Sequence, residues 1–387
     1  VDRALAVCDG PADRARLLLE AERLAALAGD RTARLGTLDA LEELAAASGD
    51  AGLAAEARLR RAVAALDGGE LEESRAAGRE ALDRFEALDD ISRQGDALRV
   101  LGREAHQRGE HAAADRYYAS ALELERRAGD RRGEAEILDL RGMLQVDRDH
   151  YEKAVESFDE VLAICEELDD RLLSARVLAH KATALRWIGC TEEAERAARE
   201  AVERARTCGS PRTIASCEVV LGGVEADAGR PHEAEALLRR SLRAAVRMER
   251  PALEARAWLE LAWLSDGPEA STEAKEAIRA ARRADLVHVE ILARSRVAEL
   301  ALAAGRVEEA DRHSAATIRE LERYGSIVGP EERVIRVRER VLRELGSPDA
   351  AEAMHERLRR AVSERADRIR DPGRRAAYLR RYEDRVA

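Results

Sequence analysis

Residues 131–170 read RRGEAEILDLRGMLQVDRDHYEKAVESFDEVLAICEELDD. The first half places Ala135, Ile137, Leu138, Gly142 and Leu144 on adjoining faces of a helix that ends near Asp147. Asp149 and His150 make a turn. The second half sets Ala154, Val155, Phe158, Val161, Leu162 and Cys165 at i, i+3, i+4 and i+7 spacing, the one-sided apolar stripe of an amphipathic helix. Asp169 and Asp170 close the unit. Two antiparallel helices joined by a short turn satisfy this pattern most simply.

The unit recurs along the chain. A small residue returns every 40 positions at Ser74, Ala114, Ala154, Ala194, Ala234 and Ala274. Five residues before the first five of these lies a turn position, Gly69, Gly109, Asp149, Gly189 and Gly229, and Gly29 keeps the same step. Twelve before lies a second small residue, at Ala62, Gly102, Gly142, Ala182, Gly222 and Ala262. Self-similarity at a period of 20–50 residues marks a stacked repeat array, in which each unit packs only on its neighbours. The frame divides the chain into a lead-in over 1–10 and units over 11–50, 51–90, 91–130, 131–170, 171–210, 211–250 and 251–286. The step then shifts to Ala310 and Ala351, giving units over 287–326 and 330–370, with a last helix over 371–387 after Asp371-Pro372. Pairs such as Gly49-Asp50, Asp89-Asp90, Gly129-Asp130 and Gly209-Ser210 suit the end of one helix and the start of the next. Where two helices cross, Gly or Ala lets the backbones approach and neighbouring Leu side chains interlock. Glu22 and Arg34 hold the matching positions of the first unit, so the frame is loosest there.

Composition agrees. Of 387 residues 45% are hydrophobic but only 3% aromatic, and 37% are charged with both signs interleaved, which suits solvent-covered helices and starves a sheet core. The net charge is −11, yet residues 330–387 carry 16 Arg and no Lys against 12 acids, so this end is +4 and the remainder −15. An acidic body disfavours nucleic acid and anionic lipid. Only Lys153, Lys181 and Lys275 are lysines, which points to a GC-rich bacterial genome. Five cysteines without a C-x-x-C suit a reduced, cytoplasmic protein, and no apolar run reaches a membrane span. The start at Val1 in place of Met leaves room for an attached effector domain outside these residues.

No catalytic constellation is present: the phosphate-loop, dinucleotide, zinc-protease and nucleophile-elbow motifs are all missing from the sequence. His106, His111, His150 and His232 fall at turns of different repeats, without the paired spacing of metal ligands. Cys190, Cys208 and Cys217 lie near one repeat boundary, where small thiols fill Ala-sized slots more readily than they form a regulatory disulfide. Glu192-Glu193 and Glu308-Glu309 open second helices, at the positive end of the helix dipole. The chain is expected to be no enzyme, with neither cofactor nor metal.

The order of small residue, glycine turn, small residue, then Leu, Tyr or Phe four further on resembles the tetratricopeptide repeat. Residues 91–250 carry it best, with Leu98, Leu101, Gly102, Gly109, Ala114, Tyr118 and Ala121 in one unit and their counterparts Gly142, Ala154, Phe158, Ala182, Gly222, Ala234 and Leu238 in those that follow. The units are longer than that family's usual one and nearly lack its helix-ending Pro; in this they resemble helical arrays of large bacterial signalling proteins. The resemblance implies an all-α, TPR-like right-handed superhelix (an α–α superhelix) of about eight helical hairpins with a C-terminal capping helix.

It also implies a concave face lined by first helices. The family's offsets select Arg99, Arg103, His106 and Gln107, then Glu136 and Asp139, then Arg176, Arg186 and Trp187, and later Arg256 and Trp263. Arg pairs with carboxylates in two-point fashion and Trp anchors apolar side chains, as peptide capture requires. The alternative is a solvated face whose charges pair across repeats, with both tryptophans in ordinary inter-helix packing. The Arg-rich end, with Arg374, Arg375, Arg380, Arg381 and Arg385, reads most simply as a solvated cap over the last repeat, its rival being a contact with an acidic partner or the chain's own body. The expected function is a scaffold or sensor segment that binds a protein or peptide in a bacterial signalling or regulatory system. Two rivals stay open: the regulatory region of a kinase, ATPase or protease lying outside the chain, and the ligand-sensing part of a transcriptional regulator.

Overall fold

The computed structural model of the chain describes residues 10–324 and 329–386, with side chains as far as Arg381. Most of the 1–10 lead-in, Cys8, and the side chains of Arg385 and Val386 lie outside that description. Among the described residues every regular element is an α-helix. Two compact units form, one up to Leu140 and one from Arg141.

The first unit contains α1 (Pro11–Ala28), α2 (Arg31–Ser48), α3 (Ala51–Gly68), α4 (Leu71–Ala87), α5 (Ile91–Gln107), α6 (His111–Ala128) and the first turns of α7 (Arg131–Asp147). Helices pack in antiparallel pairs, and the first helix of one pair also touches the first helix of the next, as α3 does α5. The crossings use the small residues. A Cβ on Gly102 would lie 2.5 Å from the ring of Tyr118, which is wholly buried. At the matching place one repeat earlier, the Ser74 hydroxyl donates to the carbonyl of Ala62 at 2.9 Å.

The second unit continues with α8 (Tyr151–Glu167), α9 (Arg171–Ile188), α10 (Thr191–Cys208), α11 (Pro211–Asp227), α12 (Pro231–Arg247), α13 (Pro251–Leu264), α14 (Gly267–Arg283), α15 (Val287–Ala303), α16 (Val307–Tyr324), α17 (Glu331–Glu344), α18 (Pro348–Asp367) and α19 (Pro372–Val386). The pairs again stack through their first helices: α9 touches α11, α11 touches α13, α13 touches α15 and α15 touches α17. Cβ atoms on Gly142 and Gly222 would lie 2.5 and 2.7 Å from Phe158 and Leu238, the equivalents of Tyr118. One face of the unit is therefore made by α9, α11, α13, α15 and α17.

One device separates nearly every pair of helices. A residue with positive φ recurs at twenty-residue steps from Gly29 through Gly49, Gly69, Asp89 and so on to Glu249. The left-handed residue ends a helix because the next N–H can fold back onto a carbonyl of the last turn, as Asp30 N–H does to Ala25 at 3.0 Å. Asp30, Asp50, Asp90, Asp130 and Asp170 then accept from the backbone N–H three residues on, at 2.9–3.1 Å. One residue stops a helix and the next starts another, so links of two residues suffice.

The last helix does more than cover an end. It packs on α18 and also on α9, nearly two hundred residues earlier in the sequence. At the crossing a Cβ on Gly189 would lie 3.0 Å from the Ala377 carbonyl, so the two backbones meet directly.

Candidate functional site

In the first unit the expected binding residues lie on α5 and α7, and most are engaged with neighbours. The Arg99 guanidinium pairs with Asp96 at 2.5 Å and with Glu136. Arg103 stands 3.9 Å from Asp67, and Asp139 is fully buried. The His106 ring meets His111 and Tyr118 edge-on, with centroids 6.0 and 6.4 Å apart, and Gln107 is half-buried beside it. Beneath this face Glu125 is 2% exposed. Its carboxyl fills the space that side chains on Gly95 and Gly133 would take, since a Cβ there would lie 2.4 and 2.6 Å from it. Burial, with Asp96 and Asp130 nearby, pushes its pKa up to about 7.

In the second unit Arg176 and Arg256 are exposed on α9 and α13. Arg186 and Trp187, at the C-terminal end of α9, are buried. Arg186 joins three pairs of helices: it contacts Asp227 of α11 at 3.0 Å and Glu260 of α13 at 2.7 and 2.9 Å. Burial opposes the Asp227 carboxylate, but Arg186 and Arg381 outweigh it and hold the carboxyl well below its ordinary range. Trp187 meets two cations, the guanidinium of Arg186 4.9 Å and that of Arg381 5.4 Å from its ring centroid. Its indole N–H has no hydrogen-bond acceptor among the described residues. Trp263 carries Arg333 of α17 over its ring at 4.4 Å.

Arg381 belongs to α19, and the offsets of the repeat gave no hint of it. The segment from Arg365 to Arg381 runs across acidic side chains of the same unit. Arg365, 3% exposed, is clasped by Asp149 at 2.8 Å, Glu331 at 2.8 Å and Glu332. Tyr378 donates to Glu332 and Tyr151 to Asp149, each at 2.8 Å. Glu152 accepts the backbone N–H groups of Arg370 and Asp371 at 2.7 and 3.0 Å, just ahead of α19. Those bonds hold its carboxyl low against the opposing effect of burial. Arg374 reaches Glu193 at 3.2 Å, and Arg381 reaches Asp227 at 3.1 Å as well as the carbonyl of Arg186. The solvated basic cap expected from the sequence is thus, in Arg374 and Arg381, an ion-paired surface on the chain's own acids. The available signal was the opposition of a +4 end to a −15 body.

The other chemistry is sparse. Cys190, Cys208 and Cys217 are free thiols; burial raises Cys190 to about 11 and Cys217 to about 12, the reverse of an activated nucleophile. No cluster of metal-binding side chains occurs among the described residues, and none of their helices is long and apolar enough to cross a membrane.

No known family pattern matches the chain, and neither does any curated protein. Solved structures do. One, a Rap protein complexed with competence and sporulation factor, is 14% identical, covers 86% of this chain and 96% of its own, and superposes with a TM-score of 0.57. Another, the Rap conjugation gene regulator of plasmid pLS20 in complex with the Phr* peptide, is 12% identical over 71% of this chain and 75% of its own, at 0.61. The apo form of RapI gives 15%, 70%, 99% and 0.54. Helical pairs closed by small residues, stacked through their first helices and superposable on these arrays, make this chain a tetratricopeptide-like helical-repeat protein.

Proposed function

We propose that the chain is a non-catalytic scaffold that recognises a protein or peptide through its first-helix faces, as a cytoplasmic component of a bacterial signalling or regulatory system. One observation carries the reading: the second unit already holds a helix, α19, by an Arg381–Asp227 pair and two guanidiniums against Trp187 on its first-helix face and by an Arg374–Glu193 pair at the start of the neighbouring second helix α10. A surface that binds one helix by these means has the chemistry to bind another. Two of the similar solved structures are themselves complexes, one with a sporulation factor and one with a peptide. The partner surface is assigned to Arg99, Arg103, His106, Gln107, Glu136 and Asp139 in the first unit and to Arg176, Arg186, Trp187, Arg256 and Trp263 in the second.

Selection from a random peptide library on the full chain, followed by anisotropy titration of the retained sequences, tests this. Arg103→Ala or Trp187→Ala is expected to weaken retained peptides at least tenfold, about 1.4 kcal/mol. Peptides that bind both variants as they bind the parent would place recognition elsewhere.

A further inference from the structure

The second unit contains a ligand-like segment of its own, and its contacts define what the face accepts. We propose that Glu152, Glu193, Asp227 and Trp187 form a binding site for an arginine-bearing helix, filled here by residues 365–381, and that a partner helix of the same chemistry exchanges with them. Asp227 and Trp187 stand on the first-helix face and Glu152 and Glu193 at the starts of the adjoining second helices α8 and α10; the inference rests on that face being a recognition surface, and it adds the class of partner and the competitor.

Three independent features converge. The first is charge: Arg370, Arg374 and Arg381 meet Glu152, Glu193 and Asp227 in succession along the segment. The second is helix-start recognition. Glu152 binds the backbone N–H groups of Arg370 and of Asp371, the residue that caps α19 and whose N–H any helix leaves unsatisfied, so the site reads a helix beginning as well as its side chains. The third is close approach, because Gly189 admits the α19 backbone at Ala377, where a larger residue on either side would hold it off.

The grip is graded, and that makes exchange feasible. Arg365 is sealed within its three carboxylates, but the Arg370 side chain is 70% exposed and its partner Glu156 54%. Ion pairs of that kind hold weakly and loosen with salt. Release therefore starts at Arg370, while the buried Tyr378 and the Arg381–Asp227 pair leave only as a competing helix takes over their contacts and Arg365 stays. Tethering supplies α19 at high effective concentration, so a free helix meets strong competition in the parent chain.

A fluorescein-labelled synthetic peptide with the sequence of residues 365–381 tests the proposal by anisotropy. It is expected to bind the full chain carrying Arg374→Glu and Arg381→Glu at least tenfold more tightly than the parent. Adding Glu152→Gln and Glu193→Gln should abolish that binding. Equal affinity for parent and released chain, or equal affinity for a peptide of scrambled order, overturns the proposal. Circular dichroism checks that the variants fold. Should the released chain fail to fold, hydrogen exchange on the parent decides: saturating peptide must speed exchange at residues 372–381, and unchanged exchange overturns the proposal too. Library peptides that bind while the 365–381 peptide does not would leave recognition by the face standing and remove only this inference.

Discussion

Asp149 and Glu249 adopt the same left-handed turn, with φ of 60° and 51°, yet glycine should act on them in opposite ways. A non-glycine residue there costs roughly 1 kcal/mol or more. Glu249→Gly relieves the strain and should raise stability by about 0.5–1 kcal/mol in urea unfolding. Asp149→Gly relieves it too but removes a carboxylate from Arg365, 3% exposed, and from the Tyr151 hydroxyl. Leaving that guanidinium short of a partner should cost about 3–5 kcal/mol. At Gly102 the constraint is space, and Gly102→Leu drives a side chain into Tyr118, with an expected loss of about 1–3 kcal/mol. Gly102, Gly142 and Gly222 were legible in the sequence because a steric need that repeats leaves a periodic trace. Asp89 and Asp169 were legible through the acidic pairs they open, but Glu249 was not, since the turn geometry persists there while neither glycine nor a capping pair advertises it.

At the scale of the element, two carboxyls shifted in opposite directions give opposite pH dependences. Glu125, between α5 and α7, has its pKa raised to about 7 from 4.5, so the folded first unit favours its protonated form. That stability is complete below about pH 4.5 and is lost as pH rises toward 7. Glu125→Gln should therefore leave unfolding stability unchanged near pH 4 and raise it at pH 8, by on the order of 2–3 kcal/mol. Glu152 and Asp227 are lowered instead, from 4.5 and 3.8, so their contribution is complete above about pH 4.5 and is lost as acid protonates them in the folded state. Emission from Trp187, with Trp258 and Trp263 changed to Phe, should hold steady down to pH 5 and then shift as α19 lets go. An emission that stays constant until the whole unit unfolds in acid would mean that these carboxylates do not hold the helix. The amphipathic stripes made the helices readable, whereas the perch of α19 was not, because the docking of a segment on residues so distant in sequence has no period.

For the molecule as a whole, the repeat resemblance was enough to give the all-α, TPR-like class, since three periodic features agreed in phase. What it could not give is non-local contact. A stack of pairs draws its stability from nearest neighbours and unfolds piecewise. In the second unit, residues 365–381 join α8, α9, α10, α11 and α17 and so couple layers that otherwise touch only in sequence. Removing residues 369–387 should lower the urea m-value and broaden the unfolding transition, while the helical signal of the remaining repeats persists. An unchanged m-value would show that the segment is a passenger.

The same contacts impose an order in time. A chain made at ~5–20 residues per second keeps Glu193 waiting on the order of ten seconds for Arg374, which is synthesised 181 positions later. Through that interval the nascent unit shows the ribosome and its surroundings a bare acidic wall, and only with residues 365–381 does it acquire the cations that close it.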